Sequence, residues 1–207
     1  MKRICVFIGL ITLLSACSRK SNVQPENPNI VKINGTAYPT VVIGNQVWTT
    51  VNYSGPPGYH SAGHAQYGDY YTQSQALAII LPAGWRVPTM MDYNNLFAYF
   101  GPNKNTDGYS ELDGSEVGNL LSTSAGWPTT STDKSGFKAE PNGFFQVAGP
   151  TPTYQNNGHE GYFMTSDWGG LDNRFGVRIT ILGAGLEAAS REDFSTIAYS
   201  LRFVKDK

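Results

Sequence analysis

The chain has 207 residues, of which 40% are hydrophobic and 15% charged, and its formal net charge is −1. That length supports one hydrophobic core, so a single domain is expected. The weak charge, with no basic block to follow a phosphate backbone, argues against nucleic acid as a partner. Aromatics at 13% and 23 glycines describe a loop-rich, strand-rich extracellular domain with Tyr and Trp available for contact surfaces.

In chain order, Lys2 and Arg3 precede an apolar run over residues 4–14 (ICVFIGLITLL) that is short for a membrane span and reads as a secretion signal. Leu14-Ser15-Ala16-Cys17 follows directly and resembles the lipobox at which signal peptidase II cuts, leaving Cys17 as a lipidated first residue. Ser18, rather than Asp, after the cysteine points to the outer membrane. The acid-poor stretch SRKSN leaves both the periplasmic and the surface-exposed orientation open. Cys5 departs with the signal, whose lipobox closes the segment 1–17, and Cys17 carries lipid, so the mature chain has no thiol for catalysis, metal binding or a disulfide.

Residues 18–30 are polar, carry two prolines and read as a flexible tether, with the domain running over 31–207. TVVIGNQVWTTV (40–51) is a hairpin with its turn at Gly44-Asn45. A Gly, Pro and Tyr-rich loop follows, then a short helix over 72–80 capped by Thr72 with Gln75. A second helix starts at Thr89, capped with Asp92, presents Tyr93, Leu96, Phe97 and Phe100 on one face and stops at Gly101. Residues 101–176 read as short strands between long excursions, and strands return at 175–182 and 197–204, separated by GAGLEAASREDFST.

The ordered blocks VVIGNQVWTTVN, YGDYYT, PAGWRVPTMMDYNNL, SGFKAEPNGFF, GYFMTSDW and YSLRFVKD, covering about residues 38–206, resemble the Fibrobacter succinogenes major paralogous domain family. The central block is also similar to the helix opening of formylglycine-generating enzymes. The resemblance implies an α+β, C-type-lectin-like domain with two helices packed on short antiparallel strands and long loops. Formylglycine generation depends on active-site cysteines, and the mature chain lacks them. Where family members carry a pair of cysteines this chain has Leu81 and Phe203, so the resemblance implies that these two residues are neighbours. Trp85 and Arg86 read as scaffold, with the ring packed beneath the second helix and the guanidinium tying loop carbonyls.

Three patterns bear on a site. His60 and His64 have metal-ligand spacing but sit among glycines that disfavour a helix. Asn103, Asn105, Asp107 and Gly108 hint at a calcium loop but lack its first Asp and twelfth Glu. Glu140-Pro141-Asn142 matches the tripeptide with which C-type lectins hold calcium and sugar, with Asp167, Asp172 and Asn173 as further oxygen donors. No cofactor is expected, and calcium is the one ion for which a pattern exists. No nucleophile elbow or Ser-His-Asp arrangement stands out, so the chain reads as a noncatalytic, lipid-anchored envelope protein. The expected ligand face lies on the excursions over 122–174, at Trp127, Glu140, Asn142, Tyr154, His159, Trp168, Asp172 and Asn173. A glycan or an envelope protein is the expected partner. The alternative is a structural or accessory subunit of a surface assembly such as a fimbria.

Lipidation is testable directly. Cys17→Ser should leave an unlipidated precursor that no longer partitions with membranes through its mature terminus, read by metabolic labelling with palmitate and by fractionation. Normal maturation of that variant overturns the lipobox reading.

Overall fold

The computed structural model describes residues 29–101, 110–128, 131–156, 158–167, 174–188 and 195–207. Cys17, Trp168, Asp172, Asn173 and the Asn103-to-Gly108 loop lie outside the described residues.

The first sheet begins with β1 (Ile30–Ile33), β2 (Thr36–Ile43) and β3 (Gln46–Thr49). Asn34 and Gly35, both at positive φ (49° and 84°), make the β1–β2 turn. That dihedral pair suits the right-handed twist of a two-residue hairpin. The expected turn at Gly44-Asn45 is present, with Gly44 at φ 58° and Ile43 paired with Gln46. The C-terminal strand β13 (Val204–Asp206) lies antiparallel against β3, giving the order β1-β2-β3-β13.

The second sheet is larger. It contains β4 (Tyr59–His60), β5 (Asp69–Tyr71), β6 (Leu112–Asp113), β7 (Phe144–Gln146), β8 (Thr153–Gln155), β9 (Glu160–Met164), β10 (Arg174–Thr180), β11 (Gly183–Ala188) and β12 (Ile197–Ser200). Its order is β4-β5-β12-β9-β10-β11-β6, with the β7–β8 hairpin joined to β12. The pairing of β12 with β9 is parallel, while its pairings with β5 and β7 are antiparallel. Residues 183–188, expected as part of a separator, instead pair with β10 through a tight turn at 181–182. The expected single strand over 197–204 is divided, with Leu201, Arg202 and Phe203 carrying the chain from the second sheet to the first.

Among the described residues three α-helices accompany the sheets: α1 (Gln73–Leu77), α2 (Met90–Phe100) and α3 (Gly114–Val117). All three start with reciprocal capping boxes, Thr72 with Gln75, Thr89 with Asp92, and Asp113 with Glu116. Each box satisfies backbone donors that a helix start leaves open. On α2, Tyr93, Leu96 and Phe97 are buried and pack with Trp48, Leu120, Val177, Ile179 and Val204. A second cluster gathers Val31, Ile33, Tyr38, Tyr53, Tyr71, Val87, Tyr162, Tyr199, Leu201 and Phe203. Leu81 packs against that cluster, which also holds Phe203. The described residues therefore form a mixed α+β fold with more sheet than helix.

Trp85 and Arg86 belong to this scaffold in a different way from that expected. Trp85 packs on the second cluster, with the Lys205 ammonium 5.4 Å from its ring centroid. The Arg86 backbone exchanges hydrogen bonds with Val204, at 2.9 and 3.1 Å. Its guanidinium binds carboxylates rather than loop carbonyls, reaching Asp92 through Nη2 at 2.6 Å and Asp206 through Nη2 at 2.8 Å. A planar fork matches carboxylate geometry better than single carbonyls do. Asp92 also accepts from Gln46 Nε2 at 2.8 Å, and the Gln46 Oε1 accepts from the Trp48 indole at 3.2 Å.

Burial pushes the Asp92 carboxyl up, but hydrogen bonds from Arg86 and Thr89 outweigh it and hold the group below the ordinary carboxylate range. The contribution of a depressed carboxyl is complete above its unfolded value and lost as pH falls through the folded one. Asp92→Asn is expected to lower stability by about 1–3 kcal/mol at neutral pH. In urea unfolding the difference from wild type should narrow on acidification. Equal stabilities at pH 7 would remove Asp92 from this role.

Candidate functional site

The β7–β8 hairpin folds beside β5 because β12 pairs with both β5 and β7. This brings together aromatic residues that are far apart in sequence. Tyr70 and Phe145 are buried, with ring centroids 5.0 Å apart, and the half-buried Tyr154 lies 5.6 Å from Tyr70 and 5.5 Å from Phe145. The loop after β4 adds His64 and a 3₁₀ turn (Ala65–Tyr67). His64 stands nearly parallel to Tyr67 at 8° and 5.9 Å, and its centroid is 4.6 Å from that of Tyr154. Tyr67, His64 and Tyr154 are each half-buried and form an aromatic row at the surface.

Asn142 holds the floor of this row. Its Oδ1 accepts the Tyr162 backbone N–H at 2.7 Å and its Nδ2 donates to the Tyr162 carbonyl at 3.4 Å. Its own carbonyl accepts two phenols, from Tyr70 at 2.5 Å and from Tyr154 at 3.0 Å. Asn156 Nδ2 donates to the Tyr154 hydroxyl and to the Pro141 carbonyl, each at 2.7 Å. Next to Asn142, Gly143 takes φ 59°, and a Cβ there would stand 2.1 Å from the Gln155 carbonyl oxygen. Only glycine lets β7 start this close to the end of β8. Burial, reinforced by the Tyr154 hydroxyl, raises the Tyr70 phenol above its ordinary value, so it stays protonated and donating.

Glu140 lies at the edge of the same surface, half-buried, and no described residue donates a hydrogen bond to its carboxylate. Burial pushes its carboxyl above the usual range while the charge of Arg202 pulls it partly back. The carboxylate in turn acts on the Tyr67 and Tyr70 phenols.

Arg202 is fully buried and fixes the backbone that carries Glu140. Its Nε donates to Asn52 Oδ1 at 2.5 Å and its Nη1 to the Thr49 and Phe137 carbonyls at 2.9 and 2.8 Å. Nη2 donates to the Lys138 carbonyl at 3.0 Å. The guanidinium lies 5.0 Å from the Phe137 ring centroid and 5.7 Å from that of Phe163. Burial pulls its pKa down to about 10, against the opposing charge of Glu140.

The expected site residues separate in this setting. Glu140 and Tyr154 share the aromatic face, and His159 is exposed before β9. Trp127 and Asn142 are internal. Trp127 is 8% exposed and its indole donates to the Ala139 carbonyl at 2.9 Å, so it braces the loop from inside. Asn142 has no exposed atoms to offer a sugar or ion. The Asp167 carboxylate accepts the Met90 backbone N–H at the start of α2 and acts as a helix-terminal acceptor. His60 and His64 point to different tasks, since His60 Nδ1 pairs with Asp69 Oδ1 at 2.8 Å while His64 stands in the aromatic row. Among the described residues no group of three or more His, Cys, Asp or Glu is placed to hold a metal ion. His64, Tyr67 and Tyr70 escaped the sequence reading as site residues. The dense Tyr and His content of 59–71 was the available signal.

The fold and this face define a mixed α+β protein with a rigid aromatic surface and a partly desolvated carboxylate at its edge. The sequence pattern of the Fibrobacter succinogenes major domain matches residues 41–205, and the chain belongs to that family. Neither the curated proteins nor the solved structures contain a match to it.

Arg202→Ala leaves four acceptors without their donor, three of them buried, and each unsatisfied buried group costs about 1–3 kcal/mol. A total loss above about 4 kcal/mol is expected in urea unfolding, with Arg202→Lys intermediate because an ammonium cannot reproduce the fork. A loss below about 1 kcal/mol for the alanine variant would mean that the acceptors find water instead.

Proposed function

We propose that this protein is a noncatalytic, lipid-anchored outer-membrane protein whose single domain, of C-type-lectin-like architecture, binds a glycan or an envelope protein on the aromatic face. The observation that carries this reading is the row Tyr67, His64 and Tyr154 beside Glu140, held by Asn142 and Arg202. Sugars and peptides both offer apolar faces for rings and polar groups for a carboxylate. The noncatalytic reading is supported by the use of the neighbouring polar groups, since Asn142 and Tyr70 are engaged in holding the face. Lipid at Cys17 would set the domain close to a membrane, with residues 18–30 as its tether. Calcium is not required by this arrangement, because the Asn142 amide is engaged by Tyr162.

Service as a subunit of a surface assembly such as a fimbria is the second reading. It is favoured by exposed apolar side chains beside the β2–β3 turn, where Val42 is 50% and Tyr99 62% exposed.

The face is tested with the full chain in detergent micelles, probed on a glycan array and against envelope extracts by cross-linking. Tyr67→Ala should weaken capture about tenfold or more, the equivalent of one stacking contact, while leaving the melting curve close to wild type. Unchanged capture by that variant moves the binding surface elsewhere. Loss of capture on substituting Val42 and Tyr99 instead would support assembly.

A further inference from the structure

Glu140 is a charged group at the aromatic face whose hydrogen bonding the described residues leave incomplete. Its partly desolvated carboxylate can accept several hydrogen bonds, yet no described residue supplies one. The deficiency is one of donors and not of charge. Arg202 is a buried cation whose hydrogen bonds all go to neutral acceptors, three backbone carbonyls and the Asn52 amide oxygen. Glu140 is the leading counter-charge acting on it, ahead of Tyr93 and Asp133. A second cation at Glu140 would leave the pair with an excess positive charge in a poorly solvated place, which is costly. A neutral hydroxyl supplies the missing donor and keeps the charges balanced. Tyr67, on which the carboxylate acts, stands nearly parallel to His64, with Tyr154 against His64, a surface suited to the C–H face of a flat ring.

We propose that Glu140 is the hydrogen-bond anchor of a subsite for an uncharged sugar, whose pyranose face rests on Tyr67, His64 and Tyr154 while its hydroxyls donate to the carboxylate. This rests on the aromatic face being the binding surface. It names the ligand class as neutral pyranose chains, and it needs no metal ion between Glu140 and the sugar. Tyr70 and Asn142 lie beneath the rings as positioning residues, and Arg202 offsets part of the burial cost of the Glu140 charge.

The subsite has a pH signature. Burial raises the Glu140 carboxyl, and the groups facing it are Arg202, Tyr67 and Tyr70, with His64 and Tyr154 on the adjoining row. Hydroxyls donate to the ionised form, so affinity is complete above the raised value and falls as pH drops through it. Binding in that range releases a proton.

The experiment is calorimetric titration of the full chain in detergent micelles with cellohexaose, xylohexaose and maltohexaose as neutral probes. A chitosan hexamer serves as the cationic probe and hexagalacturonate as the anionic one. At least one neutral probe should bind, unchanged by EDTA, with proton release at acidic pH seen by repeating the titration in buffers of different ionisation enthalpy. Glu140→Gln should weaken that probe about tenfold to a hundredfold, the weight of a hydrogen bond to a charged group, and abolish the proton release at acidic pH. Should Glu140→Gln fold poorly, the wild-type proton release decides alone. Binding of a neutral probe with no proton release and no effect of Glu140→Gln overturns the anchor but leaves the aromatic face standing. Preference for the chitosan hexamer, or loss of binding in EDTA, overturns the neutral, metal-free assignment. Binding of no probe at all overturns both the subsite and the glycan reading of the face.

Discussion

The fully buried Arg202 guanidinium is the interaction on which the rest of the structure depends. It sits in the short segment that leaves β12 for β13, where the chain passes from one sheet to the other. Its donors reach backward to Thr49 and Asn52 and sideways to Phe137 and Lys138, so two remote stretches of chain meet on one side chain. Desolvating a cation is expensive, and the surrounding structure answers with carbonyl dipoles, two phenyl faces and the field of Glu140. Removing any one of these leaves the others with an uncompensated charge. The loop carrying Phe137, Lys138 and Glu140 is thereby held, although it contains no long element of its own.

A second polar network performs a similar task along β3 and β13. Trp48, Gln46, Asp92, Arg86 and Asp206 form a chain of hydrogen bonds that joins β3, the start of α2 and β13. Asp92 is both helix cap and ion-pair partner, so the start of α2 and the position of the C-terminal strand are not independent. Within each network most members are satisfied, which is the condition under which buried polar groups specify a structure and do not merely weaken it. The Tyr93 and Ser200 hydroxyls, both buried, have no hydrogen-bond partner among the described residues, and Tyr93 stands against Trp48 at 5.0 Å between centroids.

The aromatic face follows from these constraints. Asn142 can act as a floor because β9 lies beside it, and Tyr70 and Tyr154 can share its carbonyl because β5 and the β7–β8 hairpin both meet β12. The rings of this surface are held by the protein's own hydrogen bonds and ring contacts. Glu140 differs in that its charge is partly offset by Arg202 while no described residue donates to its carboxylate.

Short-range physics made much of this legible in the residues alone. Thr72 with Gln75 and Thr89 with Asp92 cap their helices because a side chain three positions away lies within reach of the backbone it completes. Gly44 turns β2 into β3 because it tolerates positive φ, and Tyr93, Leu96 and Phe97 are buried because their spacing lays them on one side of α2. Asn34-Gly35 carried the same kind of signal, and residues 183–188 were harder, since their small side chains give no alternation to read. Trp127 and Asn142 mark the limit, because an aromatic ring or an amide in a glycine-rich stretch has the same local pattern whether it faces solvent or interior. Their fate, like that of His64 and Tyr67, depends on which strand lies beside which. The pairing of β12 with β5, β7 and β9 joins residues up to 130 positions apart through backbone hydrogen bonds that no side-chain pattern encodes, so tertiary structure alone decided the face.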